Sequence, residues 1–529
     1  MRILSLKIPS YKNLKDIYLS FESTLITLLV GQNGLGKSNL IEILAIIFRD
    51  LYSIREKKQY REGISLKDSF DYSIEYECHG KMIKIDYLNG DINFYKRNSK
   101  TKKYEELSFA RFKKESNLLL PDRIIGYYSG ENKRIKQLWN RFLDEKQSGQ
   151  ERLYNRPLNN KYRSKIFFSE SIHSQLILYT LFIYKEHPAY CKTISDLMTN
   201  ILNINEFRNV ELLIKSPITS YKIKRMNISL LDVESELLSG VEYERFENKD
   251  VFWGVKGEID LLLKTFLFYF IGTNSYSIYK EYDREFFFVT LNSSDKGFFD
   301  TIYEVFPNPI TFFDALERLY VINSLSKLTV EVSKKDDNEF FKFESLSEGE
   351  QQLISVLGLM TILNVQKEEI LFLLDEPDTH INPLWQREYV NMINKCIDYQ
   401  QSKHIFLATH SPFIVQAYEE QQIDLMLFRK SEDENVIIDV ADHTIKNWRI
   451  DHVLMSPYFN LKSTRPAKLD EFMQKRKDLI MKGELSEDDK NYLEYLKNEL
   501  GFLPTGETIS ELESIAFINA SVNKLKGEK

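Results

Sequence analysis

The sequence contains little cysteine. Only three cysteines occur among 529 residues, and Cys78, Cys191 and Cys396 form neither a CxxC pair nor a metal-binding spacing. This scarcity argues against a disulfide framework and against a zinc module, and it is typical of proteins of a reducing cytosol. We therefore expect a cytoplasmic protein.

The sequence also lacks an excess of positive charge. Its formal net charge of −7 at pH 7 excludes a uniformly basic nucleic-acid coat, so contact with DNA or RNA would need local basic patches. Lysine and arginine cluster at residues 55–61, 96–103, 133–136 and 222–225. A solvated loop or helix face is the more frequent explanation of such clusters.

No apolar run is long enough to cross a bilayer. Residues 25–30 and 259–271 form the longest mostly apolar segments, and both are shorter than the roughly 20 residues that a membrane span needs. Residues 167–184 come closer, but Glu170 and His173 interrupt the first half, which favours a buried helix. Met1 leads directly into a charged, strand-like segment, so we expect neither a signal peptide nor membrane contact.

A complete GxxxxGK(S/T) loop follows the first buried strand. Residues 31–38 read Gly-Gln-Asn-Gly-Leu-Gly-Lys-Ser, between an aliphatic segment and an apolar helical one, which is the context that a phosphate-binding loop requires. In such a loop the backbone N–H groups bind the β-phosphate, the lysine bridges the β- and γ-phosphates, and the serine hydroxyl binds Mg²⁺. The predicted nucleotide ligands are Gly31, Asn33, Gly34, Gly36, Lys37, Ser38 and Asn39.

Two acidic residues and a histidine follow two further buried strands. Asp375 and Glu376 end the apolar segment 371–374, and His410 ends the segment 404–409. The carboxyl ends of such strands face the ligand crevice of an open α/β sheet. We predict that Asp375, like Ser38, holds Mg²⁺, that Glu376 activates the attacking water as a general base, and that His410 contacts the γ-phosphate. Lys37, Glu376 and His410 are thus the predicted catalytic residues.

A last motif lies far downstream of the phosphate loop, where residues 346–351 read Leu-Ser-Glu-Gly-Glu-Gln. Together with the motifs above, and with residues 377–383 as a D-loop, it resembles the heads of ABC-type ATPases in the SMC-like and OLD-like branch of the AAA ATPases. The resemblance implies a homodimer or higher homo-oligomer that binds ATP and Mg²⁺ between two heads. Ser347, Gly349 and Glu350 would then contact the nucleotide of the other head. ATP hydrolysis would be slow or regulatory.

One position departs from this family. Its members carry a glutamine on the loop after the strand that here spans residues 123–128. In this sequence residues 126–132 read Gly-Tyr-Tyr-Ser-Gly-Glu-Asn, and Gln137 lies well beyond the strand. The residue that couples the γ-phosphate to the following segment is therefore left open.

The spacing of the motifs predicts the organisation of the chain. We expect an α/β fold whose first ATPase lobe, residues 1–130, carries the phosphate loop and an N-terminal mixed β region. A large, mainly helical insertion should follow at 131–325, and a second ATPase lobe with the signature, the acid pair and His410 at 326–445. Residues 446–529 should form a helical C-terminal region. Heptads that would predict a coiled-coil arm are absent.

Motifs for a second catalytic centre are also missing. The tail lacks the Asp-x-Asp strand end of a Toprim domain, and His173 and His187 stand apart without an HNH pattern. With residues 127–130 and 447–454, the chain therefore resembles the ATPase subunits of Septu-type antiphage defence, also found with retrons. The resemblance implies control of a separate HNH-type nuclease, with DNA or RNA contacted through the complex. An SMC- or RecF-like DNA-binding ATPase of repair, and an OLD-like ATPase with an unrecognised nuclease domain, remain alternatives.

Overall fold

The computed structural model describes two compact units, residues 1–447 and 448–529. Within them, the described residues are 1–21, 25–56, 70–130, 134–139, 165–247, 252–335, 339–364, 368–397, 403–416, 423–431, 433–440, 448–461, 464, 486–500 and 518.

The strands are β1 (Arg2–Tyr11), β2 (Leu14–Ser20), β3 (Ile26–Gly31), β4 (Tyr72–Cys78), β5 (Lys81–Leu88), β6 (Asp91–Arg97), β7 (Tyr104–Leu107), β8 (Arg123–Tyr128), β9 (Ile166–Ser169), β10 (Ile204–Lys215), β11 (Tyr276–Glu281), β12 (Arg284–Asn292), β13 (Leu325–Lys334), β14 (Phe341–Lys342), β15 (Ile370–Asp375), β16 (Lys403–Thr409), β17 (Ile423–Lys430) and β18 (Val436–Val440).

The α-helices are α1 (Lys37–Glu56), α2 (Phe109–Glu115), α3 (Ser171–Tyr184), α4 (Cys191–Ser195), α5 (Ser220–Met226), α6 (Leu230–Leu238), α7 (Glu244–Glu247), α8 (Glu258–Phe270), α9 (Lys296–Val305), α10 (Pro309–Val321), α11 (Glu348–Leu353), α12 (Leu359–Leu363), α13 (Pro383–Cys396), α14 (Pro412–Gln416), α15 (Ile450–Met455) and α16 (Glu487–Leu500).

A seven-stranded sheet organises the first unit, in the order β18-β17-β3-β16-β15-β8-β9. All its neighbouring strands run parallel except β17 and β18. Every residue of β3, β15 and β16 is buried, because both faces of a parallel sheet are covered and the middle of each strand is apolar. The α/β fold and these three buried strands were predicted correctly.

The N-terminal lobe adds a six-stranded antiparallel sheet, in the order β2-β1-β4-β5-β6-β7. It contains a first hairpin, β1-β2, and a meander from β4 to β7, and β4 alternates strictly between buried and half-buried residues. Helix α1 packs against both sheets. It contacts β3, β15 and β16 on one side, and its Phe48 ring lies 5.5 Å from the Tyr76 ring of β4 on the other. The phosphate loop therefore opens a helix that is fixed within the core.

The expectation of a mainly helical insertion is incomplete. Helices predominate among the described residues of 131–325, and the buried helix α3 forms from Ser171 to the end of the predicted segment 167–184, whose first residues lie in β9. The same interval, however, supplies β9 to the central sheet and β10, β11 and β12 to a five-stranded antiparallel sheet, ordered β11-β12-β10-β13-β14. Strand β13 belongs to the predicted second lobe, so the boundary at 325 divides one sheet. The sequence hides this sheet because β10 pairs with β13 through several register shifts.

The described residues of the second unit include two helices, α15 and α16. Ser486 and Asp489 form reciprocal hydrogen bonds at the start of α16, a variant of the capping box. In the described part of the chain, no helix has the length and apolar character of a membrane span.

A buried ion cluster fixes the start of β8. Arg123, which is 4% exposed, donates to Asp314 of α10 at 2.6 and 2.8 Å and to Glu368 at 2.9 Å. We expect Arg123→Met to destabilise the protein by about 3–5 kcal/mol, because two carboxylates lose a buried guanidinium partner. The urea midpoint of unfolding measures this loss. Arg111→Met removes an exposed ion pair with Glu115 and should shift the midpoint little; equal shifts would contradict the prediction.

Candidate nucleotide-binding site

Four parallel strands bring the predicted site residues to one edge of the central sheet. Asp375, the last residue of β15, lies opposite Ala408 of β16 and Tyr128 of β8, while Thr409 lies opposite Val30 of β3. The segments that follow these strands therefore emerge side by side. They carry the phosphate loop, the acid pair, His410 and the loop that lacks the expected glutamine.

The phosphate loop is held by a residue that the sequence did not single out. Asn13, between β1 and β2, donates from Nδ2 to the Gly34 carbonyl at 2.9 Å. A Cβ atom at Gly36, where φ is +99°, would lie 2.9 Å from Asn13 Oδ1 and 2.8 Å from Leu14 Cδ2, so only glycine permits this approach. Asn39 donates to Asn13 Oδ1 at 2.6 Å. Asn39 thus supports Asn13 in this structure, and its role as a nucleotide ligand stays a prediction.

Lys37 lies inside the loop. Its Nζ donates to the carbonyls of Gly31 at 2.8 Å and Gln32 at 3.1 Å, and it is 3.5 Å from His410 Nδ1. Burial lowers the pKa of Lys37 to about 8, although the carboxylates of Glu376 and Asp375 oppose this effect. Asn33 and Gly34 are exposed at the tip of the loop. The ammonium group therefore lies inside the loop that is predicted to bind the phosphates.

Ser38 and Asp375 form the predicted metal-binding pair. Ser38 Oγ donates to Asp375 Oδ1 at 3.1 Å. Burial raises the pKa of Asp375 to about 6, while the Ser38 hydrogen bond lowers it. A hydroxyl beside a buried carboxylate fits Mg²⁺, which prefers oxygen ligands and takes others from water and phosphate. Within the described residues, no cluster of three or more His, Cys, Asp or Glu side chains could hold a metal by itself.

Glu376 combines an unusual backbone with a directed side chain. Its φ is +53°, a left-handed conformation that is uncommon for a residue other than glycine. Its Oε1 lies 3.4 Å from His410 Nε2, and this interaction lowers the pKa of Glu376 more than partial burial raises it. The carboxylate is therefore ionised at neutral pH, which is the form that a general base needs.

The signature residues contact one another. Ser347 caps α11, and its N–H and hydroxyl both donate to Glu350 Oε2 at 2.8 Å. Glu350 Oε1 lies 2.7 Å from Lys334 Nζ, so both its carboxylate oxygens are engaged within the chain. Glu350 thus supports Ser347 within the chain, and its role as a nucleotide ligand stays a prediction. A Cβ atom at Gly349 would lie 2.5 Å from the His380 carbonyl oxygen, so the D-loop packs directly on the signature.

Ser129 stands at the position where the family glutamine is missing. Its Oγ lies 3.0 Å from Thr379 Oγ1, and its N–H donates to the Asp375 carbonyl at 3.4 Å. Nothing in the sequence marks Ser129, since serine is common in loops and the contact with Thr379 joins residues far apart in the chain. The structure therefore connects the end of β8 to the D-loop through hydroxyl groups.

Comparison with known proteins gives one family and one curated relative. A family model described as "AAA ATPase domain" matches residues 1–415. The Septu protein PtuA of Bacillus thuringiensis is 26% identical over 208 residues, which are 36% of this chain and 50% of that protein. The match thus spans half the length of this relative.

Solved structures show a distant likeness. The SMC head domain from Thermotoga maritima is 11% identical and superposes over 84% of this chain and 100% of that one, with a TM-score of 0.33. The recombination mediator protein RecF is 15% identical over 83% of this chain and 98% of that one, with a TM-score of 0.29.

The family match extends from β1 to α14 and includes the phosphate loop, the signature, the acid pair and His410. The central sheet brings the phosphate loop, the acid pair and His410 to one edge. The chain belongs to the AAA ATPase domain family.

Proposed function

We propose that this chain is the ATP-binding and ATP-hydrolysing regulatory subunit of an antiphage defence complex. Its heads would dimerise around ATP and Mg²⁺ and control a separate HNH-type nuclease, with slow or regulatory turnover. The observation that carries the ATPase part is the convergence of Lys37, Ser38, Asp375, Glu376 and His410 at one sheet edge. The defence part rests on the partial match to the Septu protein PtuA and on the motif resemblance.

The binding step follows from charge and hydrogen bonding. The phosphates of ATP would bind to the N–H groups of the phosphate loop and to the ammonium group of Lys37. The start of α1 adds the positive end of a helix dipole to this attraction. Ser38 and Asp375 would hold Mg²⁺, which neutralises charge on the phosphate oxygens when it is bound. Lys37 exchanges its bonds to two loop carbonyls for bonds to phosphate.

The hydrolytic step needs a base that is ionised and fixed. Glu376 meets the first condition because His410 lowers its pKa, and the second because its backbone is bonded to neighbouring segments. In this role Glu376 takes a proton from the attacking water, while His410 orients the carboxylate and faces Lys37 at 3.5 Å.

The signature supports a site shared between two copies. Among the described residues, no hydrogen bond joins Ser347 or Glu350 to the phosphate loop of the same chain; the two residues are bonded to each other, and Glu350 also contacts Lys334. A signature that does not reach its own nucleotide fits the family arrangement, in which it contacts the nucleotide of a second head. We assign partner binding to the interval between phosphate loop and signature and to the C-terminal region.

Co-expression with the adjacent nuclease reading frame tests the defence proposal. We expect the two proteins to co-purify and nuclease activity to depend on the nucleotide state of this chain. Failure to find or capture such a partner would contradict the proposal. DNA-stimulated hydrolysis and salt-dependent DNA binding by the isolated chain would instead support a repair ATPase. Metal-dependent DNA cleavage by the isolated chain would reveal an unrecognised nuclease domain.

The role of Glu376 predicts a separation of binding from hydrolysis. In Glu376→Gln the side chain keeps its size but cannot accept the proton, so we expect phosphate release to fall by about 100-fold or more, with ATP affinity nearly unchanged. Steady-state phosphate release and binding of a fluorescent ATP analogue measure the two quantities. Glu388→Gln on α13 alters an exposed carboxylate that bonds Asn391 and should resemble the wild type. Normal turnover in Glu376→Gln would rule out this base.

The lowered pKa of Lys37 predicts a pH dependence of ATP binding. Below its pKa of about 8 the lysine is charged in the free protein, so the affinity should be flat with respect to this group. Above pH 8 the free protein loses the proton that the complex retains, and the affinity should fall by up to about tenfold per pH unit. Titrations from pH 7.5 to 9.5 with a non-hydrolysable analogue measure this slope. Lys37→Met should bind weakly and without it; equal slopes would contradict the assignment.

A further inference from the structure

Both polar backbone groups of Glu376, its N–H and its carbonyl, form hydrogen bonds. Its N–H donates to the Ala408 carbonyl of β16 at 2.9 Å. Its carbonyl accepts from the N–H and the Oγ1 of Thr379, at 3.4 and 2.9 Å, and from Nε2 of Gln352 at 3.4 Å. A left-handed non-glycine residue persists only where its surroundings fix it. These bonds are therefore what keeps the carboxylate of Glu376 directed at His410.

Gln352 connects this backbone to the D-loop and to the signature helix. It lies on α11, five residues after Ser347, and is only 3% exposed. Its Nε2 donates to the Glu376 carbonyl, and its Oε1 accepts from the His380 N–H at 3.4 Å. One buried amide thus contacts both the residue that follows the acid strand and the D-loop.

The helix that carries Gln352 also carries the signature. Residues Ser347 and Gln352 are rigidly related, because α11 spans Glu348–Leu353 and Ser347 caps it through a reciprocal pair of bonds with Glu350. A displacement of Ser347 along or about the helix axis therefore displaces the Gln352 amide. Hydrogen bonds of 3.4 Å are long for N–H···O contacts, so a small approach or withdrawal of α11 strengthens or breaks them.

We propose that Gln352 is a positioning residue that couples the signature helix to the backbone of Glu376. This inference rests on the proposed function, in which Ser347 contacts the nucleotide of a second copy. Seating of Ser347 on that nucleotide draws α11 into place, and Gln352 then fixes the Glu376 carbonyl together with Thr379. Each head hydrolyses its own ATP fastest when its signature is engaged. Ser129, which contacts Thr379, joins the end of β8 to the same clamp.

Gln352→Met tests the coupling, because methionine fills a similar volume without the amide. We expect kcat for ATP hydrolysis to fall by roughly 10-fold to 100-fold, as for other small displacements of a catalytic group. The affinity for a fluorescent ATP analogue should change little, since the phosphate loop is untouched. The urea midpoint should also change little, since methionine fills a similar volume. Gln175→Met on α3, which removes a glutamine bond to Glu344, is the matched control and should keep the wild-type kcat.

Thr379→Val supplies a second, independent measurement. It removes the Oγ1 bond to the same Glu376 carbonyl, so its effect on kcat should not multiply with that of Gln352→Met in the double variant. A loss of ATP affinity or of stability parallel to the loss of kcat would overturn the inference in favour of a purely structural role, and so would an unchanged kcat. If the wild type does not hydrolyse ATP, the proposed function fails; if it does and the variants match it, only the coupling fails.

Discussion

The parallel register of β3, β16, β15 and β8 is the constraint on which the site depends. Each strand is pinned to its neighbour residue by residue, and β3, β15 and β16 are buried along their whole length. A shift of one residue would turn every side chain to the opposite face, so the hydrophobic core fixes the register. The distance of 3.1 Å between Ser38 Oγ and Asp375 Oδ1 is a consequence of the register that this core fixes.

The same burial that fixes the geometry creates an electrostatic cost. It lowers the pKa of Lys37 to about 8 and raises that of Asp375 to about 6, so both charged forms are disfavoured relative to water. Such shifts correspond to about 3 kcal/mol for each group near pH 7. Polyanionic phosphate and a divalent cation would stabilise the two charged forms at once. A site of this kind binds its ligands together more favourably than either alone.

Local pattern was sufficient for the elements with short-range signals. The aliphatic strands, the glycine loop before α1 and the Ser347 cap are each encoded within about ten residues. The prediction placed Asp375, Glu376 and His410 at strand ends and Lys37 in the loop after a strand, and the structure brings these residues together. The sheet of β10, β11 and β12 escaped because its pairing with β13 crosses a hundred residues and several bulges. The contacts of Asn39 with Asn13 and of Glu350 with Lys334 escaped for the same reason, because these partners are distant in sequence.

Strand β13 connects the long interval to the signature. Strand β13 pairs with β10 of the interval and leads through β14 to Ser347, so the five-stranded sheet is continuous with the signature helix. Lys334, the last residue of β13, lies 2.7 Å from the largely buried Glu350 that supports the Ser347 cap. A movement of this sheet relative to α11 must either carry the ion pair along or break it. Breaking it would leave the carboxylate of Glu350 poorly solvated, which is unfavourable. We therefore expect the sheet and the signature to move together.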